Sequence, residues 1–211
     1  MPIRLHRGDL PADVRLQGAV AIDTETMGLN PHRDRLCLAQ LYDGGGACHL
    51  VQFPWPRTDQ ERAEPYHAPN LAALLADVSV TKLFHFARFD VGVLEHSLGV
   101  ACQPIYCTKI ASRLCRTYTD RHGLKELCRE LLGVDLAKEQ QSSDWGREDL
   151  SEAQLLYAAR DVIYLHPLRD RLNAMLDRTG RRALAEACFR FLPFRARLDI
   201  DGWSEQDIFA Y

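Results

Sequence analysis

Four carboxylates stand at three places along this chain: Asp23 and Glu25, then Asp90, then Asp161. Each borders an apolar run. Ala19-Val20-Ala21-Ile22 turns acidic at Asp23-Thr24-Glu25, and Phe84-His85-Phe86-Ala87-Arg88-Phe89 ends on Asp90. Asp161 follows Tyr157 by one helical turn in Tyr157-Ala158-Ala159-Arg160-Asp161. Acids gathered at the ends of buried elements repel one another, so folding them together requires cations between them. Hard oxygen ligands of this kind suit Mg²⁺ or Mn²⁺. Two such ions about 3.5–4 Å apart make a phosphoryl-transfer site. The chemistry expected is metal-dependent attack on a phosphate ester.

The elements that must position these acids follow from their spacing. Asp23 and Glu25 are two apart, so a regular strand points both to one face. At the carboxyl end of a strand they would overhang the sheet's rim, the usual site position in α/β proteins; the plain alternative is a solvated strand end. Asp90 is read as following a strand at 82–86 and opening a helix, where the alternative is an N-cap. Tyr157 and Asp161 share a helix face. Leu155, Leu156, Ala158, Ala159, Val162, Ile163 and Leu165 surround them, and Arg160 points about 100° away, so Asp161 is costly there unless a metal or an arginine meets it. Its alternative is a surface Tyr-Asp stripe.

Strands are predicted at 19–23, 36–42 and 47–53, the last two joined through Asp43-Gly44-Gly45-Gly46 as a hairpin. The proline-rich stretch 54–69 reads as a surface excursion, followed by a short helix at 70–76 and the strand at 82–86. An amphipathic helix after Asp90 leads to a strand at 105–107. From Thr108 the period is helical. Helix 122–132 should stop at Gly133, and Ser151-Glu152-Ala153-Gln154 is a capping box that opens the next helix. Pro167 should kink or interrupt that helix. The fold expected is α/β: a mixed sheet flanked by helices in three layers, with a helical second half. Residues 1–187 read as one domain. Residues 188–211 read as an aromatic-rich tail that either finishes the core or packs on another subunit.

Composition narrows the classes. The chain has 211 residues, 46% of them apolar, which suits a sizeable core rather than disorder. Its apolar stretches are too short for a membrane span. No signal-peptide pattern follows the basic start, so a cytoplasmic protein is expected. Seven cysteines without a CxxC pair read as small core side chains in a reducing compartment. The net charge of −3 argues against a protein that grips long nucleic acid by counterion release. Only 109–138 is locally basic, seven Lys and Arg against four Asp and Glu. Such a run is either a solvated helix face or a contact for a few phosphates.

Together these motifs resemble the DEDD superfamily of 3′→5′ exonucleases, in the subgroup whose last motif carries a tyrosine. The likeness is to the RNase D-like branch. Gly123-Leu124-Lys125-Glu126-Leu127, Leu132-Gly133-Val134, Lys138, Ser143-Asp144-Trp145, Leu150-Ser151, Gln154-Leu155 and Tyr157–Val162 recur there in this order, so the resemblance covers roughly 15–176. Asp23–Leu36 and Tyr106–Arg113 are similar to the short nanoRNase members. The resemblance implies an RNase H-like fold and two divalent ions, Mg²⁺ or Mn²⁺. Asp23 and Asp161 would hold one ion with Glu25 nearby, and Asp23 mainly the other. Asp90 would join through water, and Tyr157 would orient the attacking water. It further implies RNA dinucleotides as substrates, nucleoside 5′-monophosphates as products, and a homo-oligomer, a ring-shaped octamer. Leu29 resembles a wedge between the last two bases or is a turn-anchoring core leucine. His85 is a sugar or phosphate contact or a buried strand histidine. Arg113 and Lys138 are phosphate contacts or solvated surface. Two departures stand out: Phe86 replaces a common Asn, and the 54–68 excursion is long for a nanoRNase.

Three other readings compete. A general 3′→5′ exonuclease trimming longer RNA or DNA would use the same acids. A haloacid-dehalogenase-type phosphatase would need Asp where Glu25 stands, and a non-catalytic scaffold would not need all four acids.

Overall fold

The computed structural model describes residues 1–54, 64–136 and 143–210. Its centre is a six-stranded mixed sheet in the order β1-β4-β3-β2-β5-β6. The strands are β1 (Ile3–Arg7), β2 (Ala19–Thr26), β3 (Leu36–Tyr42), β4 (Cys48–Gln52), β5 (Thr81–Phe84) and β6 (Ile105–Cys107). β2, β3 and β4 form an antiparallel meander, while β5 and β6 extend β2 in parallel and β1 lies parallel to β4. The expected hairpin is present, its turn held by Asp43, whose Oδ1 accepts from the Gly45 and Gly46 amides at 3.1 and 3.3 Å. β1 is an edge strand that the periodicity did not announce, because only Ile3 and His6 are half-buried and the rest face outward.

The helices are α1 (Pro69–Ala76), α2 (Ala87–Leu98), α3 (Thr108–Cys115), α4 (Leu124–Leu127, widening into a π-turn over Cys128–Leu132), α5 (Glu152–Ile163), α6 (Leu165–Arg178) and α7 (Arg182–Leu198). α5 lies across β1 to β4, and α2 across β2, β3, β5 and β6. Thr24 and its strand neighbours Asp23 and Glu25 point to opposite faces. Thr24 meets α2 whereas the acids meet α5, so the two helices cover opposite faces of the sheet in three layers.

Three local expectations are met. The Ser151–Gln154 capping box is complete in both directions. Gly133 ends α4 in the left-handed conformation, φ 69°. The long helix breaks at Tyr164, one turn before Pro167, and resumes as α6. Two boundaries differ. β2 runs on through both acids to Thr26, held by ladder bonds to β3. β5 ends at Phe84 rather than 86, because Phe86 turns to φ 66° and α2 starts at Ala87.

All seven cysteines are free thiols, six of them buried. The aromatic segment after 187 divides. Phe189, Leu192 and Ala196 on α7 join the core, with Phe189 4.6 Å from Tyr106, while Phe191, Phe194 and Phe209 cluster on the outside. No helix among the described residues is long and apolar enough to cross a membrane. Most of the proline-rich excursion, 55–63, lies outside the described residues, as does Lys138.

Candidate active site

Three chain segments deliver the acids to one cleft of about 580 Å³. β2 carries Asp23 and Glu25 on a single face. α5 crosses that face and presents Asp161, and one ligand oxygen from each of the three lies within 4.8 Å of the others. Tyr157, one turn earlier on α5, hydrogen-bonds the Asp161 carboxylate and packs against Trp145 at 6.0 Å. Asp90 arrives from α2 on the other side of the sheet. It lies in the first turn of α2 and is buried, and its Oδ1 accepts from Thr24 Oγ1 at 2.7 Å. It caps nothing: the N-cap position belongs to Phe86.

The electrostatics of the cleft are those of acids without a counter-charge. Burial pushes Asp23 well above the carboxylate range, and Asp90, Asp161 and Glu25 add repulsion. Glu25 is pushed up to about 9 by burial, then by Asp161 and Asp90. Asp90 and Asp161 rise to about 7, both through burial, opposed by hydrogen bonds from Thr24 and Tyr157. Among the described residues no lysine or arginine offsets these shifts. An all-oxygen donor set that is crowded and buried, and strained when ionised, fits a hard divalent cation. Asp23, Glu25 and Asp161 would hold it. Tyr157 is itself raised by burial and by Asp161, so it stays a protonated phenol at neutral pH.

The other predicted contacts separate. Leu29 is 83% exposed at the cleft mouth, which removes its core alternative. Its loop is wrapped around Asp34, which accepts from the Asn30 amide at 3.0 Å. Gly28 is required there, since a Cβ would stand 2.3 Å from Asp34 Oδ2. His85 lines the cleft, half-buried, with its Nδ1 2.9 Å from Thr108 Oγ1. Thr108 gives its own proton to the Phe84 carbonyl, so Nδ1 must be the donor and Nε2 is left as an acceptor. Burial and then Lys109 push the imidazole down to about 3, so it is neutral. Arg113 does not line the cleft. It faces an adjoining hollow of about 200 Å³ shared with Lys109 and Phe86.

Phe86 is the only non-glycine with positive φ among the described residues. Asn tolerates that conformation better than Phe. The ring is 47% exposed between the cleft and the hollow, with Lys109 Nζ 3.9 Å above it. Sequence reasoning did not single out Thr24 or Gln40. Both touch acids, and Gln40, a lone polar residue in an apolar strand, was the readable signal.

A mixed sheet that brings acids from separate segments to a tyrosine-bearing helix defines a metal-dependent nuclease site. The 3′-5′ exonuclease family matches residues 9–177, and the chain belongs to that family. Ribonuclease D of Acidiphilium cryptum is 34% identical over 162 residues, 77% of this chain and 39% of that protein. The chain thus spans about two fifths of the length of that curated relative. The structure of Brucella melitensis NrnC with bound Mg²⁺ is 56% identical, with a TM-score of 0.91 and 100% of both chains covered. NrnC bound to pGG is 57% identical, with a TM-score of 0.92, covering 100% of this chain and 99% of that one. The resemblance to the RNase D-like branch and its short nanoRNase members is thereby established, as is the RNase H-like fold.

Proposed function

We propose that this chain is a two-metal 3′→5′ exoribonuclease that prefers RNA dinucleotides and releases nucleoside 5′-monophosphates. The observation that carries it is the close approach of Asp23, Glu25 and Asp161 beside Tyr157. Mg²⁺ or Mn²⁺ held there supplies Lewis-acid activation of water and neutralises charge developing at the phosphate. The protein's own groups do the rest. The protonated Tyr157 orients the attacking water by a hydrogen bond and leaves Asp161 ionised for the cation. His85, neutral and with an open Nε2, accepts from a sugar hydroxyl rather than pairing with a phosphate. Leu29, on its Asp34-braced loop, separates the two terminal bases. Lys109 and Arg113, beside Phe86, receive phosphate at the far end of the substrate.

Support for a short substrate comes from the cleft, whose size suits a small ligand rather than a duplex. The capture of pGG by NrnC points the same way. The division at residue 188, the octamer and the cytoplasmic setting belong to the same proposal. The exposed Phe191–Phe194–Phe209 cluster is the surface that supports assembly.

A time course on RNAs of two, four and seven nucleotides tests the preference. The dinucleotide should be consumed at least about tenfold faster, equivalent to ~1.4 kcal/mol in the barrier. Comparable rates would favour the general exonuclease. In the same assay Leu29→Ala should lower dinucleotide kcat/KM by about tenfold, the order of the apolar contact removed. Cleavage of the p-nitrophenyl ester of thymidine 5′-monophosphate, which has no second base to seat, should be unchanged.

A further inference from the structure

Gln40 is a buried amide in a strand of buried apolar residues: Leu36, Cys37, Leu38, Ala39 and Leu41. It is fully buried. In the β2–β3 ladder Gln40 stands directly opposite Asp23, and Leu38 stands opposite Glu25. Cross-strand partners share a face, so both point toward the acid cluster. Gln40 Nε2 donates to Asp23 Oδ2 at 3.4 Å, while its Oε1 is buried with no hydrogen-bond partner. Burying an amide with one long hydrogen bond and an orphaned acceptor costs stability relative to an apolar side chain. The cost has an explanation only if the donor serves Asp23.

We infer that Gln40 is a positioning residue for the cation site. It pins one Asp23 oxygen from the neighbouring strand and leaves the other turned toward Glu25 and Asp161. A donor to a carboxylate favours its ionised form, the form a cation needs. Glu25 has no such partner, since Leu38 fills the equivalent place. The asymmetry marks Asp23 as the carboxylate whose orientation is fixed. This rests on the metal-dependent reading of the cleft.

The experiment uses the full chain without substrate. Gln40→Met, close in volume and unable to donate, is compared with the parent by Mn²⁺ titration calorimetry and by thermal melts in EDTA. The expected result is Mn²⁺ affinity lower by about 10–100-fold, the scale of lost partners behind metal ligands. The melting temperature in EDTA should equal or exceed the parent's. Affinity within twofold of the parent overturns the inference. So does a melt well below the parent's in EDTA, which would make Gln40 a structural residue. A parent that binds no Mn²⁺ would instead refute the metal reading itself, so the two failures are distinct.

Discussion

The substitution Asp161→Asn is expected to abolish hydrolysis while making the metal-free protein harder to melt. Both halves follow from the geometry. Asp161 is one of three carboxylates that share a 4.8 Å cluster, and no other described acid can take its place on α5. Loss of a partner that merely supports a metal ligand costs up to about 100-fold, so loss of the ligand itself should exceed that. The Tyr157 hydroxyl can still donate to the carboxamide oxygen of the replacement side chain, so the local hydrogen bond survives. What disappears is one buried negative charge among several that repel one another. In EDTA at pH 8 the variant should melt higher by about 2–4 °C, the effect of ~1 kcal/mol in a chain of this size. Parental activity would refute the site assignment. A lower melt in EDTA would mean that the ionised carboxylate holds the fold together rather than straining it.

The second large effect is a pH dependence that reverses when metal is added. Glu25 rises to about 9 and Asp90 and Asp161 to about 7 in the folded protein, all through burial. Carboxyls raised on folding bind more protons in the native state, so their stabilising contribution is complete in acid and lost as pH rises through the folded values. His85 works in the opposite direction, but only between about 3 and its ordinary value of 6.5. Between pH 6.5 and 9 the acids act alone. The melting temperature in EDTA should fall across that window. Saturating Mg²⁺ or Mn²⁺ should restore it, most strongly at the alkaline end, because ions compete with protons for the same oxygens. At 100 times its dissociation constant one ion adds about 2.7 kcal/mol. That corresponds to roughly 5–10 °C for a chain of this length. A flat or rising melt in EDTA, or one that ignores the metal, contradicts this electrostatic picture.

What was legible in the sequence was what repeats or spaces regularly. The D-x-E pair in β2, the i, i+4 pair Tyr157 and Asp161, the capping box at Ser151 and the break before Pro167 all encode themselves locally. The edge strand β1 did not, because an edge facing solvent carries almost no apolar alternation. Asp90 was found as an acid but placed ambiguously, since its role depends on Thr24, 66 residues away. The left-handed turn at Phe86, which moves the helix start to Ala87, has no sequence signature when Asn or Gly is absent. Gln40 was visible as a letter in a strand, yet its meaning needed the ladder register that sets it against Asp23.

The most direct test is the position of metal in crystals soaked with Mn²⁺, read by anomalous diffraction. Peaks between Asp23, Glu25 and Asp161, below the Tyr157 hydroxyl, are the expected result. A map without density in that cleft, or with Mn²⁺ bound only elsewhere on the surface, would contradict the account.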